Sequence, residues 1–239
     1  MKAVLLVAGL GTRLRPLTEI TPKCLLPIGG KPLLQIWLDK LVASGVQEVL
    51  INTHWLSGEV ELYIAQIEKS INIAITPFYE PVLLGSAGTL AANRDWLSIS
   101  RDPFYIIYGD NLCWVDLTEM NHYHCHHEFS FTLGVFRTTH PEKCGIVETD
   151  RNDVVISFEE KPAEPKTDIA AAGIYMADRR IFDVFPTPSA KKSDVLDLGF
   201  DILPRLIGQM KCFNVGECID IGTHASYQKA KQRWQHYNE

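Results

Sequence analysis

The chain opens on a short continuous apolar run, Ala3 to Val7, the pattern of a strand buried on both faces. From Pro32 the period changes. Leu34, Trp37, Leu38, Leu41 and Val42 fall on one face of a helix that Gly45 can end in the left-handed conformation. A strand over 46 to 52, a helix near 57 to 70, a strand over 73 to 78, a helix from about 86 to 97 and the apolar strand Phe104 to Tyr108 continue the alternation. Such alternation predicts right-handed crossovers and a mostly parallel sheet, whose ligands gather at the carboxyl ends of strands. Gly9, Glu80 and Asp110 all fall there.

After Asp116 the pattern shortens to one helix and then closely spaced strands near 129 to 137, 145 to 149, 154 to 159 and 169 to 177, which read as mixed sheet forming a lid. Helices near 178 to 185 and 198 to 210, a strand toward Ile221 and an amphipathic helix over 224 to 237 complete it. No linker composition divides the chain. The expected fold class is α/β, one domain over 1–239 with a Rossmann-like, mostly parallel mixed sheet flanked by helices.

With 46% apolar and 22% charged residues the 239-residue chain suits a globular core, and no apolar run approaches the roughly 18 residues that span a bilayer. A net charge of −6 argues against nucleic acid as partner, yet residues 1 to 31 hold five basic residues against one acidic. That local positive field serves a small anionic ligand. The cysteines at 24, 113, 125, 144, 212 and 218 form no C-x-x-C pair, and the N-terminus shows no charged-then-apolar signal segment. Together these set the expectation of a cytoplasmic protein with reduced thiols, without membrane contact.

The positive charge sits on the loop VAGLGTRLRPLTEITPKCLLPIGGKP, from Val7 to Pro32. Gly9 and Gly11 free the backbone so that successive N–H groups can converge on an anion, while Arg13, Arg15, Lys23 and Lys31 bring cations to it. The dinucleotide fingerprint is excluded, since Leu14 stands where its third glycine belongs, and no Gly-Lys-Ser/Thr follows to make a P-loop. Asp110, in Gly109-Asp110-Asn111, and Asp220, in Ile219-Asp220-Ile221-Gly222-Thr223, end predicted strands, where an acid is equally a turn former, a cap or a metal ligand.

The loop resembles the signature of the sugar-phosphate nucleotidylyltransferases, the NDP-sugar pyrophosphorylases: Gly9, Gly11, Thr12, Arg13, Leu14, Pro16, Leu17, Thr18, Pro22, Lys23, Leu26, Pro27, Lys31 and Pro32 all match. The resemblance extends to Asp220-Ile221-Gly222-Thr223 and is closest to short forms similar to mannose-1-phosphate guanylyltransferases. It implies the nucleotide-diphospho-sugar transferase type of fold, with a nucleotide half over about 1–115 and a sugar half, its end covered by the lid, over about 116–239. By the same resemblance Arg13 and Lys23 meet the triphosphate, and Ala8, Gly9, Gly11, Thr12, Glu80 and Gly85 line the nucleotide. Asp110 and Asp220 hold Mg²⁺, with Asp110 counted as catalytic. Asn111, Gly145, Glu160, Lys161 and Ala172 face the sugar phosphate, Lys161 meeting its phosphate from the Glu160-Lys161-Pro162 motif.

Where thymidylyl and uridylyl members place a glutamine, this chain has Glu80, whose acceptors suit the adjacent N1–H and N2–H donors of guanine. The implied reaction joins GTP to mannose 1-phosphate and releases pyrophosphate. A heptose 1-phosphate, or glucose 1-phosphate with a pyrimidine nucleotide, is the alternative, and a nucleotide-sugar sensor without turnover is the non-enzyme rival. A homo-oligomer is left open. Ala171 stands where the family often has asparagine, and Cys218, Ile219 and His224 also depart from its pattern, so sugar identity is the less determined part. His122, His124, Cys125, His126 and His127 read as a solvated helix face, because adjacent His126 and His127 cannot share one side.

Overall fold

The computed structural model describes residues 1–186 and 195–238. Strand β1 (Lys2–Leu6) lies between β6 and β4 inside a sheet ordered β10-β9-β11-β6-β1-β4-β5, with β8 and β12 attached beside β11. Here β4 is Glu48–Thr53, β5 Ala74–Tyr79, β6 Phe104–Tyr108, β8 Phe131–Arg137, β9 Gly145–Thr149, β10 Val155–Glu160, β11 Ile169–Ala177 and β12 Met210–Asn214. The strands β6, β1, β4 and β5 are parallel, so Leu6, Thr53, Tyr79 and Tyr108 bring their chain ends to one edge.

The unbroken apolar run of β1 has its reason in this position. Ala3 and Leu5 pack into the cluster formed with helix α2 (Leu33–Ala43), α3 (Ser57–Ile67) and α6 (Leu117–Cys125), whereas Val4 packs on the opposite face. That opposite face is covered by α4 (Ser86–Ala92), α5 (Arg94–Ser98) and the turns over 198–206. Neighbouring β6 divides the same way, Tyr105 and Ile107 to one side and Phe104 and Ile106 to the other.

Four expectations are corrected. The strands after Asp116 do not form a separate lid: β11 pairs antiparallel with β6, and β8 to β12 extend the central sheet. The helix expected over 86 to 97 breaks at Asn93, whose side-chain amide donates to the Thr89 carbonyl. The helix expected over 198 to 210 is a π turn, Leu198–Ile202, then a 3-10 turn, Leu203–Leu206, before β12. Finally, β7 (Asn111–Cys113) and β13 (Cys218–Asp220) form an antiparallel ribbon that sets Cys218 opposite Cys113, and their sulfurs are joined in a disulfide. The two cysteines are 105 residues apart, so spacing could not flag them, and Cys24, Cys125, Cys144 and Cys212 are the free thiols.

The helix-face reading of the histidines holds only in part. His122 and His126 are exposed with their rings in tilted contact, but His124 is 5% exposed, with Nδ1 against the Thr132 hydroxyl of β8 at 2.8 Å. His127 Nε2 contacts the same hydroxyl. No helix among the described residues is long and apolar enough to cross a membrane.

Candidate active site

The edge where β1 and β6 end also receives the β7–β13 ribbon, and this brings the two expected metal carboxylates together. Asp110 stands just before β7 and Asp220 closes β13, paired with Asn111 across the ribbon. Lys23, from the 3-10 turn Lys23–Leu25, reaches both: its Nζ is 2.7 Å from Asp110 Oδ2 and 3.1 Å from Asp220 Oδ1. Lys23 is itself buried, and burial alone would lower its pKa, but the two carboxylates outweigh it and the pKa is raised. Arg13 approaches Asp220 at 3.7 Å and is largely exposed.

Of the four loop cations, then, two belong to this cluster. Lys31 lies in a short hairpin of β2 (Pro27–Ile28) and β3 (Lys31–Pro32) and pairs with Asp39 of α2, and Arg15 holds His224 through its carbonyl. Thr18, from the short helix α1 (Leu17–Ile20), braces the loop by donating to the carbonyl of Gly11, whose φ is +63°.

Both carboxylates are open enough to take a hard cation, at 42% and 51% side-chain exposure. Two half-exposed acidic side chains that share the Lys23 ammonium and remain partly open to solvent fit Mg²⁺, which rarely takes an all-protein cage. Among the described residues no group of three or more His, Cys, Asp or Glu gathers that would suit a fully protein-ligated ion.

Glu80, expected to meet the base, is held inside the protein. It is 1% exposed, and its oxygens are occupied: Oε1 accepts from Asn52 Nδ2 at 2.9 Å and from the Thr89 hydroxyl, and Oε2 accepts from the Leu84 N–H at 3.0 Å. A carboxylate so engaged is not standing open to a base. Asn52 turns its other atom to the phosphate loop, Oδ1 accepting from Val7 N at 2.7 Å and Ala8 N at 3.3 Å. Thus the Ala8 amide is directed at Asn52. Gly85, with φ +79°, leaves out a Cβ that would run into the Leu196 carbonyl and Val195. That carbonyl accepts from Ala87 N and Gly88 N, the Leu196 N–H returns to Leu84 O, and the Ser86 hydroxyl joins Asp197. Gly9 and Thr12 are exposed on the loop, with Thr12 opening its 3-10 turn.

The residues expected at the sugar form a second group. Asn111 Nδ2 donates to the Ala172 carbonyl at 2.8 Å, beside Gly173 at φ +69°. Glu160 closes β10 and Lys161 follows it, at φ +50° and 3.6 Å from Glu160 Oε1. Burial raises the Glu160 pKa, Lys161 opposing and Asp197 adding to the rise. Gly145 pairs with Glu160 across the β9–β10 ladder, and a Cβ there would lie 2.7 Å from the Glu160 carboxylate; one at Gly199 would lie 2.6 Å from it. The glycines seat that carboxylate. Sequence reading missed Asn52, Thr89, Asp197 and Gly199; for Asn52 a signal existed, a polar residue inside the apolar run of β4.

Over residues 2–236 the chain matches the family model described as nucleotidyl transferase. It belongs to that family. The chain is 30% identical over 246 residues to mannose-1-phosphate guanylyltransferase catalytic subunit beta of Drosophila melanogaster, covering 96% of this chain and 65% of that one. Its identity to the Xenopus tropicalis protein of the same name is 31% over 249 residues, covering 99% and 68%. It therefore spans about two thirds of the length of these curated relatives. Among solved structures, a Bacillus anthracis protein bound to sucrose and named, provisionally, a glucose-1-phosphate thymidylyltransferase superposes with a TM-score of 0.86 at 27% identity, covering 98% and 95%.

Proposed function

We propose that the chain transfers a nucleoside monophosphate from a nucleoside triphosphate to a sugar 1-phosphate, releasing pyrophosphate, with GTP and mannose 1-phosphate as the first pair. The observation that carries this reading is the meeting of Arg13, Lys23, Asp110 and Asp220 at the carboxyl edge of the parallel strands, with Glu160 and Lys161 as a separate group. Two anionic reactants repel each other, so the first task is charge neutralisation. A Mg²⁺ held by Asp110 and Asp220 supplies part of it when bound. Arg13 and Lys23 supply the rest on the triphosphate, and Lys161 holds the incoming phosphate. An oxygen of the sugar phosphate attacks the α-phosphorus in line, the bond to pyrophosphate breaks, and no covalent enzyme intermediate is required.

The guanylyl assignment is supported by the named relatives, since Glu80 is engaged within the protein. With Glu80 so engaged, the name of the Bacillus protein supports a second reading, in which the base is a pyrimidine. The test is pyrophosphate release from a matrix of GTP, ATP, CTP, UTP and dTTP against mannose, glucose and other sugar 1-phosphates with Mg²⁺. Release with GTP and mannose 1-phosphate well above every other pair is the expected result. Preference for dTTP or UTP would move the assignment to the second reading, and no release from any pair would leave the nucleotide-sugar sensor.

A further inference from the structure

Beside Glu160 and Lys161 stands a large ring that phosphoryl chemistry does not use. Phe200 lies on the π turn Leu198–Ile202 and is 60% exposed, while Leu198, Gly199 and Ile202 of the same turn are buried. Single exposed apolar side chains are ordinary. The turn that carries this one is fixed in place. Asp197 accepts from the Gly199 and Phe200 amides at 2.8 Å and 3.2 Å, its own amide donates to Asp201, and its second oxygen takes the Ser86 hydroxyl. Gly199 lets the same turn press against the Glu160 carboxylate, and Lys161 Nζ lies 5.8 Å from the centre of the Phe200 ring. An aromatic face thus stands next to a carboxylate and an ammonium, on a turn type that recurs at functional sites.

We propose that Phe200 is the platform against which the pyranose ring of the acceptor rests, a reading that depends on the sugar 1-phosphate assignment above. A pyranose has a hydroxyl edge and a face of weakly positive C–H groups. The hydroxyls suit Glu160, the 1-phosphate suits Lys161, and the C–H face suits the electron-rich face of an aromatic ring. Phe200 therefore supplies the apolar third of the sugar site and contributes to which sugars fit.

Steady-state kinetics of the whole protein test this. Phe200→Ala should raise the KM for the sugar 1-phosphate on the order of 10-fold, with kcat and the KM for nucleotide within about twofold. Phe200→Tyr should keep the wild-type KM, and Phe200→Leu should fall between. Inhibition by inorganic phosphate should not change in Phe200→Ala, because the ring touches sugar and not phosphate. An unchanged sugar-phosphate KM in Phe200→Ala overturns the proposal. So does a parallel loss of phosphate inhibition, which would mean that the ring acts only by orienting Lys161. If the wild-type protein turns over no sugar 1-phosphate, the functional reading fails and takes this one with it; turnover with an unmoved KM defeats the platform alone.

Discussion

Lys23 is a buried ammonium whose two partners are the carboxylates that suit the metal, so a change at either acid alters both the cation site and the lysine. Asp110→Asn and Asp220→Asn keep shape and remove charge. Each should lower kcat by at least ~10²-fold at saturating Mg²⁺ while circular dichroism reports an intact fold; near wild-type rates in both would remove them from the metal site. The two lysines should separate kinetically. Lys23→Ala should act mainly on kcat, since its charge matters most as negative charge redistributes around the α-phosphorus, and Lys161→Ala mainly on the KM for sugar phosphate. Motif spacing made these charged residues legible because each lies in a segment that matches a family motif: the basic loop, the Gly109-Asp110-Asn111 and Asp220-Ile221-Gly222-Thr223 strand ends and Glu160-Lys161-Pro162. Glu80 shows where such legibility stops. Its position was readable, but its hydrogen-bond partners were not, because Asn52 lies 28 residues earlier and Thr89 nine later; the parallel pairing of β4 with β5 brings the first alongside, and α4 brings the second back.

At the scale of elements, the parallel strands and α2 were readable because their periods are forced by burial on two faces or one. The segment 198–206 was not. Its apolar residues suit a helix, but Asp197 and Gly199 bend it into tight turns that press on Glu160. Helix α6 misled in the opposite sense, since His124 faces inward on a polar-looking segment. Burial lowers its pKa to about 4, with His127 and Arg180 acting in the same direction and Asp178 opposing. The unfolded chain has a histidine near pH 6.5, so the unfolded state binds the extra proton first as pH falls. Stability should be fully present above about pH 6.5 and be lost progressively down to about pH 4, by up to roughly 3 kcal/mol from this one group. Urea midpoints across that range should fall more steeply for the wild-type protein than for His124→Gln. Equal slopes would show that the buried imidazole is not responsible.

For the whole molecule, the sheet is continuous, and the two groups of candidate residues differ in which strand ends carry them. Segments beside the two groups are nonetheless stitched together away from the sheet. Leu196 receives Ala87 N and Gly88 N on its carbonyl and returns its own amide to Leu84, while Ser86 binds Asp197 and the Leu198 amide. These bonds join segments more than 100 residues apart in the chain. Hydrogen exchange should therefore find the amides of Ala87, Gly88, Leu196 and Leu198 released in a single opening event, with one common free energy and one common denaturant dependence. Ser86→Ala should lower that shared free energy for all four, while amides in β1 keep theirs. If the amides of Ala87 and Gly88 exchanged independently of Leu196, the two binding surfaces would breathe separately. A common opening means that whatever loosens one of these segments loosens the other, so that on the proposed function a nucleotide held beside Gly85 would slow the solvent exposure of the turn that carries Phe200.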